Sequence, residues 1–224
     1  MNALIFPYWT NYLRPLVPPG IVVAATYIAA MVYFGGSPYT LDVGYAPVQP
    51  VPYSHALHAG QLGIDCRYCH TTVEKAAFAA VPPTATCMGC HANVRTNSPQ
   101  LVAVRESYAS ASPEKPEGSP IHWVKVHDLP EFVYFNHSAH VTRGVGCKSC
   151  HGRVDKMDVV SQQEPLSMAW CLECHRQPEL HLRPVDQVTN MAYQLEPRKQ
   201  LEEGARLKEA FGINPPTSCS TCHR

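Results

Sequence analysis

Hydrophobic residues are concentrated near the N-terminus of this 224-residue chain. No charged residue occurs between Arg14 and Asp42, and the 19 residues from Leu16 to Phe34 are mostly apolar. An apolar stretch of this length can form one tilted membrane span. We therefore expect a membrane anchor over residues 1–36, with the span itself at about 16–35.

A cleaved signal peptide is the alternative, because signal peptides also carry an apolar run. Their apolar core is shorter, roughly 7–15 residues, and is followed by a cleavage site of small residues. The run in this chain is longer than that, which favours an anchor that the mature protein retains.

The pattern beyond the anchor predicts few regular elements. Proline accounts for 21 residues, which disfavours long helices and strands, and residues 37–52 are predicted to form an extended, proline-rich linker. Two segments carry helix signals, 98–108 and 197–211, each with a proline near its start. Gly212 is a typical stop signal for the second helix. Elsewhere we expect loops.

All ten cysteines fall within five C-x-x-C-H pentapeptides, which we number motif 1 to motif 5 along the chain. The motifs are Cys66-Arg-Tyr-Cys69-His70, Cys87-Met-Gly-Cys90-His91, Cys147-Lys-Ser-Cys150-His151, Cys171-Leu-Glu-Cys174-His175 and Cys219-Ser-Thr-Cys222-His223. A single C-x-x-C is also typical of a zinc ligand pair or a redox dithiol. Five complete copies that use every cysteine instead predict five covalently attached haem c groups and exclude a disulfide framework.

The spacing within the motif suits haem attachment. Two thiols three positions apart can add to the two vinyl groups of one porphyrin, and the following histidine can ligate the iron. Bacteria attach haem in this way outside the cytoplasm. We therefore expect the bacterial cytoplasmic membrane as the location, with the N-terminus inside and the haem domain on the periplasmic face. Arg14 is the only positive charge that marks the inner flank.

An internal repeat organises the haem domain, which we place at residues 53–224. Tyr53-Ser-His55-Ala-Leu-His58 precedes motif 1 as Phe135-Asn-His137-Ser-Ala-His140 precedes motif 3. The offset is 82 residues at the first histidines and 81 at the first motif cysteines. This predicts two copies of a two-haem unit, at about 53–95 and 135–179, with a fifth haem at 219–223. The fold class is then a mainly irregular and α-helical multihaem cytochrome c domain with little β-structure, plus one N-terminal transmembrane helix.

Histidines are numerous enough to ligate every iron on both sides. The five proximal ligands are expected to be His70, His91, His151, His175 and His223. Seven further histidines remain, and four of them recur in the H-x-x-H pairs His55, His58, His137 and His140. We expect the first histidine of each pair to ligate the haem of its own motif, His55 with His70 and His137 with His151. The second histidine of each pair would reach another haem.

The fifth distal ligand has two candidates. His127 is the first choice among the remaining histidines, while His122 and His181 are expected at the surface. Met168 competes with His127, because it lies three residues before Cys171, and a thioether ligand would raise the potential of its haem.

Charge and ligand count limit the function. Lys and Arg total 18 and so do Asp and Glu, so there is no basic excess that would favour nucleic acid. Irons with two protein ligands suit electron transfer and leave no position for a substrate. We expect no catalytic residue in this chain. An electron-transfer subunit is favoured, with a stand-alone membrane quinol dehydrogenase and a multihaem enzyme with an open iron as alternatives.

Nearly the whole chain resembles a known family. One N-terminal span is followed by two characteristic runs, Phe135-Asn-His137-Ser-Ala-His140-Val-Thr-Arg-Gly-Val-Gly-Cys147 and Leu166-Ser-Met168-Ala-Trp170-Cys171-Leu-Glu-Cys174-His175-Arg176. In these features the chain resembles the pentahaem cytochrome c subunit of alternative complex III. The haem domain also resembles class III multihaem cytochromes, in which H-x-x-H pairs serve as distal ligands.

This resemblance implies a role in a membrane complex that oxidises quinol. The implied partners are integral quinol-binding subunits, an iron–sulfur subunit and a monohaem cytochrome c that accepts the electrons. The predicted span contains no ionisable residue, so we expect those partners to supply the quinone chemistry.

Overall fold

The structure is a computed structural model that describes residues 7–36, 40–114 and 118–223. Some residues of the predicted segments lie outside the described residues. They include residues 1–6 of the expected anchor, 37–39 of the expected linker and 224 of the expected haem domain. The chain divides into two compact units, with the boundary between Asp42 and Val43. The predicted boundary at residues 36 and 37 lies a few residues earlier.

The first unit is helical. Helix α1 (Thr10–Leu13) is followed by a 3-10 turn (Arg14–Leu16) and by helix α2 (Val17–Gly35). The prolines at positions 18 and 19 occupy the first turn of α2, where a missing N–H costs nothing, so they do not shorten the helix. The combined stretch Thr10–Gly35 has a mean hydropathy of 1.8 and no buried residue in the most apolar window. Its length and composition are those of a membrane span or a signal sequence.

The second unit consists of short helices joined by irregular segments. The helices are α3 (Cys66–Cys69), α4 (Thr84–His91), α5 (Val102–Ala109), α6 (His137–Val141), α7 (Lys148–His151), α8 (Met168–Arg176), α9 (Pro197–Ala210) and α10 (Cys219–Cys222). A π-helical turn covers Ala56–Gln61, and 3-10 turns cover Pro99–Leu101, Val154–Lys156, Pro178–Leu180 and Val185–Gln187. Within the described ranges there is no β-strand, and isolated bridges include Val133↔His223 and Val145↔Leu182. The predicted fold class and both predicted helices are confirmed.

The protein core of this unit is small. The buried hydrophobic side chains of the described residues are Val51, Val73, Val104, Val141, Leu182, Val188, Met191 and Leu207. Val73, Val141 and Val188 pack together, which joins the segment after motif 1 to α6 and to the segment before Thr189. Eight side chains are few for a unit of this length, so the domain depends on additional apolar material for its stability.

Helix α9 is fixed to the turn after motif 4. Gly204 approaches the backbone of Glu179 so closely that a Cβ atom there would overlap its carbonyl group. The Gln200 amide donates to the carbonyl oxygens of Glu179 (3.1 Å) and Leu182 (2.7 Å). Lys208 forms an ion pair with the Glu179 carboxylate. These contacts tie the last long helix to the segment that holds α8.

The turn after α6 supplies a test of this packing. Gly144 has a positive φ of +85°, and a Cβ atom there would overlap the Arg183 backbone. Its carbonyl oxygen accepts a hydrogen bond from the Arg183 amide at 2.9 Å. Gly63 has a similar φ of +67° with open space around it. We expect Gly63→Ala to cost about 1 kcal/mol of unfolding free energy from backbone strain alone. Gly144→Ala should cost clearly more, as measured by denaturant unfolding of the two purified variants. Equal losses would show that the Gly144–Arg183 contact is unimportant.

Candidate haem-binding sites

Each C-x-x-C-H motif lies on a short helix. One helical turn brings cysteines at positions i and i+3 to the same face and places the histidine next to them. Two of these helices begin at a side-chain cap, because the Asp65 carboxylate accepts from the Arg67 amide (2.8 Å) and the Ser167 hydroxyl accepts from the Trp170 amide (3.3 Å). Local sequence therefore fixes where the thiols of motifs 1 and 4 point.

Three motif histidines face a histidine from an H-x-x-H pair. The ring centres are 6.2 Å apart for His58 and His91, 6.4 Å for His137 and His151, and 6.1 Å for His140 and His175. A metal–imidazole bond is about 2.0 Å long, so two such bonds and the half-widths of two rings add up to about 6 Å. Each pair therefore has the separation that two axial ligands of one iron require.

His55 lies near His70 of motif 1, close enough for the two rings to interact electrostatically. Burial, followed by the charge of His70 and then of His58, lowers the pKa of His55 to about 4. His55 is thus neutral at physiological pH, and its Nδ1 is buried without a hydrogen-bond partner. Burial and the neighbouring His127 and His137 likewise lower the pKa of His151 to about 3. Neutral imidazoles retain the lone pair that binds a metal.

Six of these histidines are oriented by backbone carbonyl groups. In each of them Nδ1 lies 2.7–3.0 Å from a carbonyl oxygen. The pairs are His58 with Ser54, His70 with Ala79 and Ala80, His91 with Val94, His137 with Ala77, His140 with Asn136, and His175 with Pro216. A carbonyl oxygen can only accept, so Nδ1 must carry the proton and Nε2 keeps its lone pair. This arrangement is typical of metal-ligating histidine.

The H-x-x-H pairs are supported by residues whose importance the sequence pattern did not reveal. Tyr53 stacks on His58 with ring centres 4.4 Å apart, and Phe135 stacks on His140 at 4.5 Å. Both aromatic residues occupy the same place in the repeat, two positions before the first histidine. The alignment of the two repeats was the signal that could have identified them as ligand supports.

The residue between the aromatic ring and the first histidine caps the turn in both repeats. The Ser54 hydroxyl accepts from the Leu57 amide (3.0 Å), and the Asn136 side chain accepts from the Ala139 amide (3.4 Å). The same two residues use their carbonyl oxygens to orient the second histidine. Each repeat thus has one local unit of aromatic ring, cap and two histidines.

The remaining predicted ligands are placed differently. The ring of His127 lies 4.4 Å from that of His151, and its Nε2 is buried without a partner. Met168 is 66% exposed at the start of α8. His223 lies 5.9 Å from the ring of Phe132. His122 is exposed, as expected, whereas His181 is half-buried.

The motif thiols are also brought close to one another. The thiols of Cys66 and Cys147 lie close to each other although 81 residues separate them, and their interaction lowers the pKa of Cys66 and raises that of Cys147. Burial, followed by the charges of Cys174 and Cys171, raises the pKa of Cys150 to about 12. Among the described residues, no three His, Cys, Asp or Glu side chains are grouped as a metal site by themselves.

The donor set fits c-type haem. The motif helices present paired thiols with an adjacent histidine, and three of these histidines face an imidazole of an H-x-x-H pair. Large apolar side chains that the protein leaves exposed, Tyr68, Phe78, Val94 and Phe132 among them, belong to the segments around the motifs and could pack on porphyrin. This would also supply the apolar material that the small core lacks.

Similarity to a known protein agrees with this chemistry. The chain is 32% identical over 103 residues to the multihaem cytochrome c subunit of menaquinone reductase from Nitratidesulfovibrio vulgaris (strain Hildenborough). The match covers 46% of this chain and 45% of that protein, so the chain spans about half the length of the curated relative. No family model matches the chain. The donor set and the similarity both support a multihaem c-type cytochrome.

The stacking of Tyr53 on His58 gives a prediction for motif 2. Burial, followed by the charges of the Cys69, Cys87 and Cys66 thiols, raises the pKa of Tyr53 to about 12, so the ring acts as a neutral aromatic surface. Tyr53→Phe should therefore leave the low-spin EPR spectrum of the oxidised protein unchanged, since Phe135 fills the equivalent position. Tyr53→Ala should broaden one low-spin signal by freeing the His58 ring. Identical spectra from both variants would show that stacking does not hold His58.

Proposed function

We propose that the chain is a membrane-anchored pentahaem cytochrome that carries electrons within a quinol-oxidising membrane complex. The observation that carries the proposal is the set of paired histidine rings about 6 Å apart beside C-x-x-C-H motifs. An iron held between two imidazoles has no position for a substrate, which favours electron transfer over catalysis at an open iron.

The proposed ligand pairs follow the facing rings at motifs 2, 3 and 4, and the repeat together with the proximity of His55 to His70 at motif 1. They are His70 with His55 for motif 1, His91 with His58 for motif 2, His151 with His137 for motif 3 and His175 with His140 for motif 4. Bound haem supplies a one-electron couple at each of these sites. The chain contributes rigid ligands, because carbonyl groups fix most of the rings and aromatic side chains cover His58 and His140.

For motif 5 we propose Met168 as the second ligand, opposite His223. Met168 and Cys171 lie three residues apart on α8 and therefore share a face of the helix. Burial and the nearby Cys222 thiol both raise the pKa of Cys171, which indicates that this face is near motif 5. His127 is less suited, since its ring contacts His151, which already faces His137. A methionine ligand would give this haem the highest potential of the set.

The complex is proposed to be alternative complex III or a close relative of it. The similar Nitratidesulfovibrio subunit belongs to a menaquinone reductase, which supports a partner that handles quinone. Quinol would release two electrons and two protons at integral partner subunits, with an iron–sulfur subunit beside them. This chain would pass the electrons singly to a monohaem cytochrome c at the periplasmic face. The helix Thr10–Gly35 would hold it in the bacterial cytoplasmic membrane with its N-terminus inside.

Carbon monoxide tests the ligand set. The reduced wild-type protein should contain five haems per chain by haemochrome assay and should show no spectral change with carbon monoxide, since every iron has two protein ligands. Met168→Ala should open a single iron and produce a carbon monoxide spectrum. The matched variant His127→Ala should behave like the wild type. A carbon monoxide spectrum from the wild type would favour the multihaem enzyme, and one from His127→Ala alone would make His127 the fifth ligand.

The association with other subunits can be tested in native membranes. After extraction in mild detergent, haem staining of a native gel should show a band far heavier than this 24.8 kDa chain with its haems. Mass spectrometry of that band should find integral membrane and iron–sulfur subunits. A band at the mass of the chain alone, whose haems are reduced by added menaquinol, would contradict the proposal and support a stand-alone quinol dehydrogenase.

A further inference from the structure

We infer that the five motifs stand in the spatial order two, one, three, four, five, so that motifs 1 and 3 join the two repeats and motifs 2 and 5 form the ends. This order rests on the proposed function only in assuming that each motif carries its haem. It differs from the order along the chain, in which motif 2 would adjoin motif 3.

The first contact joins motifs 1 and 2. His55 and His58 leave the same π-helical turn, and Tyr53 contacts both rings, at 4.8 Å and 4.4 Å. His58 faces His91 of motif 2. The Ile64 amide, two residues before motif 1 begins, donates to the His58 carbonyl oxygen at 3.0 Å. A single turn therefore spans the two motifs of the first repeat.

The decisive contact joins motifs 1 and 3. Two adjacent residues, Val188 and Thr189, bind both motifs to one segment, and the Cys66 and Cys147 thiols lie close enough to shift each other's pKa. The Thr189 hydroxyl donates to the Asp65 carboxylate at 3.0 Å, while the Cys147 amide donates to the Val188 carbonyl oxygen at 3.0 Å. The first thiols of the two motifs are thus held against each other from a common support.

A loop after motif 1 makes the same connection on the histidine side. The Ala77 carbonyl oxygen accepts from the amide (3.0 Å) and from Nδ1 (2.8 Å) of His137, the partner of motif 3. Two or three residues later, the carbonyl groups of Ala79 and Ala80 orient His70 of motif 1. One short loop therefore positions ligands for both motifs, which a distant placement of the two would not allow.

The remaining contacts extend the row from motif 3 to motif 5. His137 and His140 both lie on α6. Because His137 faces His151 of motif 3 and His140 faces His175 of motif 4, this helix joins the two motifs. Nδ1 of His175 donates to the Pro216 carbonyl oxygen at 2.7 Å, three residues before motif 5 begins. Motif 4 is therefore the neighbour of motif 5.

Magnetic coupling between irons can test the order. The planes of His137 and His151 are 10° apart, whereas those of His58 and His91 are 65° apart. The angle between imidazole planes determines the EPR signal type of a low-spin ferric haem, so motif 3 should give the near-parallel signal, and His137→Met should remove it. His55→Met and His58→Met are matched variants, three residues apart, that each raise the potential of a single haem.

The samples are the full-length variants in detergent, poised so that the haem with the introduced methionine and the haem of motif 5 are reduced and diamagnetic. The wild type at the same potential, with only the motif 5 haem reduced, is the reference. Under the inferred order, His55→Met alters the near-parallel signal of motif 3 and His58→Met leaves it unchanged. The reverse result would establish the order along the chain and overturn the inference. The haem content of the same samples separates this failure from a failure of the proposed function, which would show as fewer than five haems in the wild type.

A second variant keeps the test decisive if His55→Met does not fold. In the His137→Met variant, reduction of the motif 3 haem should alter the EPR signal of the motif 1 haem, which we propose is ligated by His55 and His70. The signal of motif 2, whose ring planes are 65° apart, should stay unchanged. A change in the motif 2 signal would contradict the order.

Discussion

The hydrogen bond from a histidine Nδ1 to a backbone carbonyl oxygen is the interaction on which the sites depend. It decides which ring nitrogen carries the proton, fixes the direction of the other nitrogen and does so without a charged partner. Six histidines use it, and their acceptors come from loops, turns and a proline-rich segment. Irregular structure is therefore functional here, since regular helices and sheets would consume the carbonyl groups that orient the rings.

The same interactions make the fold and the sites interdependent. Few apolar side chains are buried, and many large ones remain exposed around the motifs. Most long-range hydrogen bonds near the motifs end on a ligand or on the residue next to it, as at Ala77 with His137 and at Asp65 with Thr189. The domain is thus organised around its ligands.

The sequence predicted the local parts of this arrangement. The motif spacing, the repeated H-x-x-H pair and the helices near 99–109 and 197–210 each depend on residues close together in the chain, so periodicity and spacing reveal them. The proximity of Cys66 to Cys147 and the carbonyl group of Ala77 leave no such trace, because backbone acceptors have no residue identity. For the same reason spacing along the chain does not decide between His127, whose ring lies against His151, and Met168 for the fifth site.

The central claim is that facing histidine rings bracket irons. Crystals of the haem-loaded protein, measured on both sides of the iron absorption edge, would locate every iron directly. The account predicts five anomalous peaks per chain, one of them between His58 and His91, one between His137 and His151 and one between His140 and His175. Irons located away from these midpoints, or a zinc edge in place of the iron edge, would contradict it.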